Sequence, residues 1–359
     1  MYSPLRHTSS IFWKRKPIQL TFFVTRKCNS RCPFCFYLKS NDNAADKSEE
    51  LSLDEIHKIS LSMGNLLWLA FSGGEIYLRD DLVEISKVFY KNNKPAIMLY
   101  PTNGLLPELI KDRTEQILKH CRKSVITVKL SVDGLNGAHD KIRNTPGSFD
   151  QTMQTYHILG EFLNKYPNFE LGINTVFCSE NQDDMDEIID FVSALKNIKT
   201  HTISMIRGNL AYESYKKVDY KKYYHAIDRL EKNLKNKISN IYRFKGARIK
   251  AAQDILQRRL IYQTMIEQKR LIPCYAGRLN LVLTENGDVY PCEILTEAFG
   301  NVRNFGYDMR KITQSEKAKK ITKAISNYNC YCTHECYSMT NILFNPQVYS
   351  RLFREYLQL

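Results

Sequence analysis

The stretch IQLTFFVTRKCNSRCPFC, residues 18–35, joins an apolar run rich in aromatic and β-branched residues to three closely spaced cysteines. Residues 18–25 have the length and composition of a buried strand. Cys28, Cys32 and Cys35 follow its C-terminal end in a C-x3-C-x2-C pattern. Outward from this point, strand-like runs recur at 66–72, 96–102, 125–132, 170–177 and 200–205. Amphipathic segments at 53–63, 82–90, 107–121, 149–163 and 185–195 separate them. Such alternation predicts parallel strands joined by right-handed crossovers, in a doubly wound or barrel arrangement. Ligand sites in those folds gather where strands end. The unusual residues do the same: Cys28 follows the first run, Gly73-Gly74-Glu75 the second, Asn103-Gly104 the third and Asp133-Gly134 the fourth.

Composition limits the options. Hydrophobic residues make up 43% and charged residues 25%, so the 359-residue chain can build a sizeable core. No apolar run reaches the ~18–20 residues that span a bilayer, and the opening MYSPLRHTSSIFWKRKPIQL has no apolar signal-peptide core. A cytoplasmic location is expected. The net charge of +14 comes from lysines spread along the chain, which reads as a solvated basic surface; no nucleic-acid partner is expected. Eight of the ten cysteines fall into two clusters, which favours metal ligation over disulfides. Cys121 and Cys178 stand among apolar neighbours and read as small core residues.

Three thiolates just past a strand suit soft-metal chemistry. The spacing alone leaves open a zinc site completed from elsewhere, an electron-transfer cluster, or a four-iron cluster with one iron left for a ligand. With Phe34 directly before the third cysteine, the pattern resembles the radical S-adenosylmethionine (SAM) superfamily. The resemblance implies a partial (β/α)6 barrel of the TIM type. It also implies a 4Fe–4S cluster on Cys28, Cys32 and Cys35 whose open iron binds SAM, and a 5′-deoxyadenosyl radical that abstracts a substrate hydrogen. Further motifs follow in order. Ser72-Gly73-Gly74-Glu75 looks like the segment that meets the SAM amino group, with Ile76 where the family usually has proline. Thr102-Asn103-Gly104 ends the third strand in the family's manner. Ser131 and Arg143 are carried over as SAM contacts, Asn174 is a further candidate, and Arg207-Gly208 is expected to line the site. The match extends over most of residues 18–208.

In the second group, Cys274-Tyr-Ala-Gly277 precedes a predicted hairpin turned by Asn286-Gly287, with Cys292 at its far end and Cys330, Cys332 and Cys336 beyond. This resembles the SPASM and twitch extensions of radical SAM proteins and implies an auxiliary 4Fe–4S cluster. Five cysteines are one more than a cluster needs, and the choice between Cys330 and Cys332 stays open, as does a structural zinc site. The expected division is an N-terminal segment 1–17, a radical SAM barrel 18–210, a helical linker or cap 211–272, a SPASM/twitch-like domain 273–340 and a C-terminal helix 341–359.

The C-terminal stretch 342–359 is amphipathic and expected to dock on its own domain rather than on a membrane. His334-Glu335 reads as loop filling or as a modulator of the cluster. The function implied is radical hydrogen abstraction, with a peptide or protein as substrate and a small molecule, sugar-like or otherwise, as the alternative. A reductant such as ferredoxin or flavodoxin is the implied partner. About 17 residues precede the first strand, so no peptide-recognition domain is expected there. A non-catalytic electron relay is the alternative of another class, but it would not need Glu75, Ser131 and Arg143.

Overall fold

A computed structural model describes residues 1–38, 49–198, 200–327 and 330–359, apart from the Cys336 side chain. The strands are β1 (Gln19–Thr25), β2 (Trp68–Gly73), β3 (Ile97–Thr102), β4 (Val125–Ser131), β5 (Phe169–Phe177), β6 (Thr200–Met205), β7 (Asn280–Leu283), β8 (Asp288–Tyr290) and β9 (Gly300–Asn301). Among the described residues they form one sheet in the order β6-β5-β4-β3-β2-β1-β7-β8-β9. β1 to β6 are parallel neighbours in chain order, as crossover connections require. The crossovers carry α1 (Leu53–Ser62), α2 (Leu82–Asn93), α3 (Pro107–His120), the run α4 (Asn136–Arg143), α5 (Ser148–Gly160) and α6 (Phe162–Lys165), then α7 (Met185–Ala194). This is the expected partial (β/α)6 barrel. The predicted helix boundaries hold closely, whereas α4, met in the sequence only as a motif, is a further helix.

The outer face of the sheet is apolar. Phe22, Phe71 and Tyr100 are fully buried, and Phe22 packs edge-on to Phe89 of α2. The inner face is polar and is covered by α9 (Ala247–Glu267), which follows α8 (Tyr220–Lys235). The expected helical linker or cap, 211–272, forms two helices separated at 236–246, and Gly246 caps α9 from the left-handed region. Lys250 of α9 lies over the Trp68 ring. Lys129 of β4 donates to Thr200 Oγ1 at 2.7 Å and Thr202 Oγ1 at 3.0 Å. Burial lowers the Lys129 ammonium to about 7. A cavity of about 40 Å³ lined by Thr200, Thr202, Asp254 and Arg258 opens here, at the start of β6.

The predicted hairpin forms, but it is not a separate sheet: β7 pairs parallel to β1, with Gln19 opposite Asn280 and Phe22 opposite Leu283. Behind it come α10 (Met309–Thr313), α11 (Glu316–Asn327), α12 (Glu335–Leu343) and α13 (Tyr349–Leu357). The amphipathic stretch 342–359 is therefore two elements, not one helix, because Pro346 cannot continue α12. α13 docks on the protein: Glu355 is buried and pairs with Arg259 of α9 at 2.5 Å.

A polar cluster on α1 helps tie the C-terminal region to the barrel. Ser52 and Glu55 form a reciprocal capping box on α1. Glu55 also accepts from Arg303 Nε at 2.8 Å and Tyr307 OH at 3.0 Å. Burial opposes the Glu55 charge, but Arg303, the Ser52 amide and Tyr307 outweigh it and hold the carboxyl at about 2, below its ordinary 4.5. Its stabilising contribution is therefore complete above the ordinary value and disappears as the pH falls through about 2. Glu55→Ala is expected to cost about 1–2 kcal/mol at neutral pH in urea unfolding, with the difference from wild type shrinking in acid.

Candidate active site

The first cysteine loop is held by the strand ends around it. Gly74 N donates to Thr25 O and Glu75 N to Lys27 O, each at 2.8 Å. This approach is possible only without side chains. A Cβ on Gly74 would stand 2.1 Å from Lys27 O, and one on Gly73, where φ is +125°, would stand 2.4 Å from Thr25 O. Beyond this latch, Arg31 Nη1 donates to Cys28 O at 2.8 Å and Cys35 N to Cys32 O at 3.1 Å. Leu38 N donates to Cys35 Sγ at 3.2 Å, and Ser30 Oγ lies 3.1 Å from Cys32 Sγ. Phe34 is buried with its ring 6.1 Å from that of Tyr215. Burial pushes the Cys28 thiol up to about 11.

Glu75 is buried and joins two strand ends. Its carboxylate accepts from Tyr77 N at 3.2 Å, Thr102 Oγ1 at 2.8 Å and Asn103 N at 2.8 Å. Burial raises its pKa, against the pull of these donors. A carboxylate has about four acceptor positions, so one remains for a further donor. Asn103 Nδ2 donates to Asn29 Oδ1 at 2.8 Å, tying β3 into the cysteine motif itself.

Arg143, the last residue of α4, is buried and donates to Asp133 Oδ2 at 2.8 Å. Burial works against its charge, but Cys32, Asp133 and Cys28 overcome this and hold the guanidinium protonated. A fixed cation thus stands beside the first thiol loop. Ser131 and Asn174 lie opposite each other on β4 and β5. Asn174 Oδ1 accepts from Ser204 Oγ at 2.9 Å, and Ser204 Oγ also lies 2.6 Å from Glu335 Oε2 of α12. A polar line therefore runs along the ends of β4, β5 and β6 to a carboxyl brought in by the C-terminal region.

The second group gathers from three segments. Cys274 precedes β7, Cys292 follows β8, and Cys330 and Cys332 precede α12. Burial raises the Cys274, Cys292 and Cys332 thiols, and neighbouring cysteines add to it: Cys330 for Cys274, Cys274 and Cys332 for Cys292, and Cys274 and Cys330 for Cys332. Cys330 and Cys332, between which spacing did not choose, both lie near Cys274. Arg270 Nη2 lies 2.7 Å from Cys330 Sγ. Cys336, the remaining predicted ligand, has its side chain outside the described residues. Burial pushes the Cys292 thiol up to about 12. Cys121 and Cys178 are fully buried in the core, as expected. Among the described residues no three Cys, His, Asp or Glu side chains crowd round a single point as ligands of one ion do.

Residues 22–192 match the family model of the radical SAM superfamily, and residues 274–337 match SPASM, an iron–sulfur cluster-binding domain. The chain carries a radical SAM domain followed by a SPASM domain. Its two matched domains bring SAM and 4Fe–4S clusters as cofactors. This radical SAM chain is 27% identical over 310 residues to the antilisterial bacteriocin subtilosin biosynthesis protein AlbA of Bacillus subtilis (strain 168), covering 81% of this chain and 59% of AlbA. It is 29% identical over 185 residues to Fe-coproporphyrin III synthase of Methanosarcina barkeri (strain Fusaro / DSM 804), covering 51% of this chain and 42% of that protein. The chain thus spans about half the length of these curated relatives. Its fold matches the solved structure of anSMEcpe with bound AdoMet at a TM-score of 0.63 and 18% identity, over 96% of both chains. The same protein with AdoMet and Cp18Cys peptide matches at 0.58 and 16% identity, over 96% of this chain and 100% of that one.

The residues fit these cofactors chemically. The first loop offers three thiols, a buried carboxylate with an acceptor position to spare and a buried cation. The second gathering offers four thiols from three segments, the number that a closed four-iron cluster takes. Sequence reasoning did not single out Asp133, Asn29 or Asn103 as working residues, although all three lie within or beside the quoted motifs. No helix among the described residues is long and apolar enough to cross a membrane.

Proposed function

We propose that this chain is an enzyme that cleaves SAM reductively and abstracts a hydrogen atom from a peptide. The observation that carries the reading is the three-thiol loop latched to Gly74 and Glu75, with Arg143 held charged beside Cys32. In this reading Cys28, Cys32 and Cys35 hold the SAM-binding cluster. When bound, the reduced cluster supplies the electron that splits SAM into methionine and the 5′-deoxyadenosyl radical.

The chain's own residues do the rest. Gly73 and Gly74 let their strand end close on Thr25 and Lys27, which holds the cysteine loop in place, and Glu75 offers its free acceptor position to the SAM amino group. Arg143 supplies a cation for the SAM carboxylate, while Ser131 and Asn174 present hydrogen-bonding groups along the strand ends. Phe34 shields the loop from water. Cys274, Cys292, Cys330 and Cys332, with Cys336 as the further candidate, hold an auxiliary cluster that relays electrons. The division of the chain at 18–210, 211–272 and 273–340 follows these roles. A ferredoxin or flavodoxin is the proposed reductant, and free thiols at every described cysteine suit a reducing, cytoplasmic setting.

A peptide substrate is supported by the match to AlbA, a bacteriocin biosynthesis protein, which runs over 81% of the chain. The match to Fe-coproporphyrin III synthase supports a small molecule as the alternative substrate. Anaerobic reconstitution with iron and sulfide, then dithionite and SAM, tests the reaction class. Formation of 5′-deoxyadenosine is expected; none at full iron loading would overturn the proposal.

A further inference from the structure

Arg207 follows β6 and was expected simply to line the site. Its position is more specific. The guanidinium lies over the ring of Phe36, 5.2 Å from the centroid, and Phe36 directly follows Cys35. The approach is tight: a Cβ on neighbouring Gly208 would stand 2.6 Å from the Cβ of Phe36. On its other side Arg207 Nη2 reaches Glu293 Oε2 at 3.3 Å, and Glu293 directly follows Cys292. The same carboxylate oxygen lies 3.0 Å from Nε2 of His334, two residues past Cys332. Glu293 and His334 are almost wholly withdrawn from solvent, at 4% and 0% side-chain exposure, and Arg207 is at 19%.

We infer that the chain Phe36–Arg207–Glu293–His334 couples the two cysteine groups electrostatically, with Arg207 and Glu293 as positioning residues that set the reduction potential of the C-terminal cluster. This rests on the proposed assignment of clusters to both groups. Charges this poorly screened act on a nearby cluster directly, because the potential of an iron–sulfur centre follows the net charge and hydrogen bonding around it. Arg207 favours the reduced form, which carries one more negative charge, and Glu293 favours the oxidised form. The guanidinium also has the flat face and the donor edge needed to stack on Phe36 while it binds Glu293, a combination that an ammonium lacks.

The two residues therefore make opposite predictions. In redox titrations of the reconstituted protein followed by electron paramagnetic resonance, Arg207→Gln is expected to shift the C-terminal cluster to more negative potential. Glu293→Gln is expected to shift it to more positive potential, and Arg207→Lys to restore most of the wild-type value. A purely structural role would lower iron content in both variants without shifts of opposite sign. Unchanged potentials in the fully loaded variants, or shifts of the same sign, would overturn the inference. If Arg207→Gln does not load iron, Glu293→Gln decides alone, and no positive shift would count against it. A wild-type protein that loads only one cluster would instead defeat the underlying assignment.

Discussion

Replacing Cys32 with alanine is expected to reduce 5′-deoxyadenosine formation to the protein-free background while the fold persists. Cys32 lies 3.1 Å from Ser30 Oγ and beside the Arg143 guanidinium, at the centre of the loop. With two thiols left, the first loop cannot hold a four-iron cluster against solvent. Iron should fall from about eight to about four atoms per chain, the remainder on the C-terminal cysteines. Anaerobic iron analysis and chromatography of the nucleoside check both parts. A variant that keeps its activity would show that these cysteines do not hold the catalytic centre.

Gly74→Ala is expected to be nearly as damaging, though it removes no ligand. The added methyl would meet Lys27 O at 2.1 Å, Lys27 C at 2.7 Å and Arg26 O at 3.0 Å, all backbone atoms that no rotamer change can move. The strand end must shift, which breaks the hydrogen bond from Glu75 N to Lys27 O and displaces the approach to Cys28. The expected cost is about 3 kcal/mol, together with loss of iron from the first site. Thermal unfolding and iron content are the measurements. Gly137→Ala is the matched control: it lies in α4 with nothing within 4 Å of the added methyl. It should be neutral or stabilising by up to about 1 kcal/mol. Equal melting temperatures for the two variants would refute the packing argument.

The barrel was legible because its signals are local. Six apolar runs, each followed by a polar or glycine-rich turn, gave strands within one or two residues of those observed. The pairing of β7 with β1 was not legible: it joins residues 19 and 280, and nothing in a four-residue apolar run names its neighbour. The break between α8 and α9 was hidden because basic and aromatic residues continue through it.

At the site, the motif residues were visible in order, but their uses were not. Glu75 looked like a ligand-binding carboxylate; three of its contacts turn out to be with its own chain. Arg143 was picked out, yet its partner Asp133, ten residues earlier, was quoted without a role. Arg207 was noted beside the site, while Phe36 and Glu293, which it touches, lie 171 and 86 positions away in the chain. Tertiary contacts of this kind carry no periodicity and leave no spacing to read. The doubt between Cys330 and Cys332 had the same origin, since two cysteines one residue apart are distinguished only by the segments that fold against them.

The central claim is that Cys28, Cys32 and Cys35 hold a cluster with an iron open to SAM. The most direct test is the electron paramagnetic resonance spectrum of the dithionite-reduced, reconstituted protein before and after addition of SAM. A ligand entering the coordination sphere of one iron must change that cluster's signal. The account predicts that SAM shifts one component in the wild type, and that this component is missing in Cys32→Ala while the other remains. A spectrum indifferent to SAM, or a SAM-sensitive component that survives in Cys32→Ala, would contradict it.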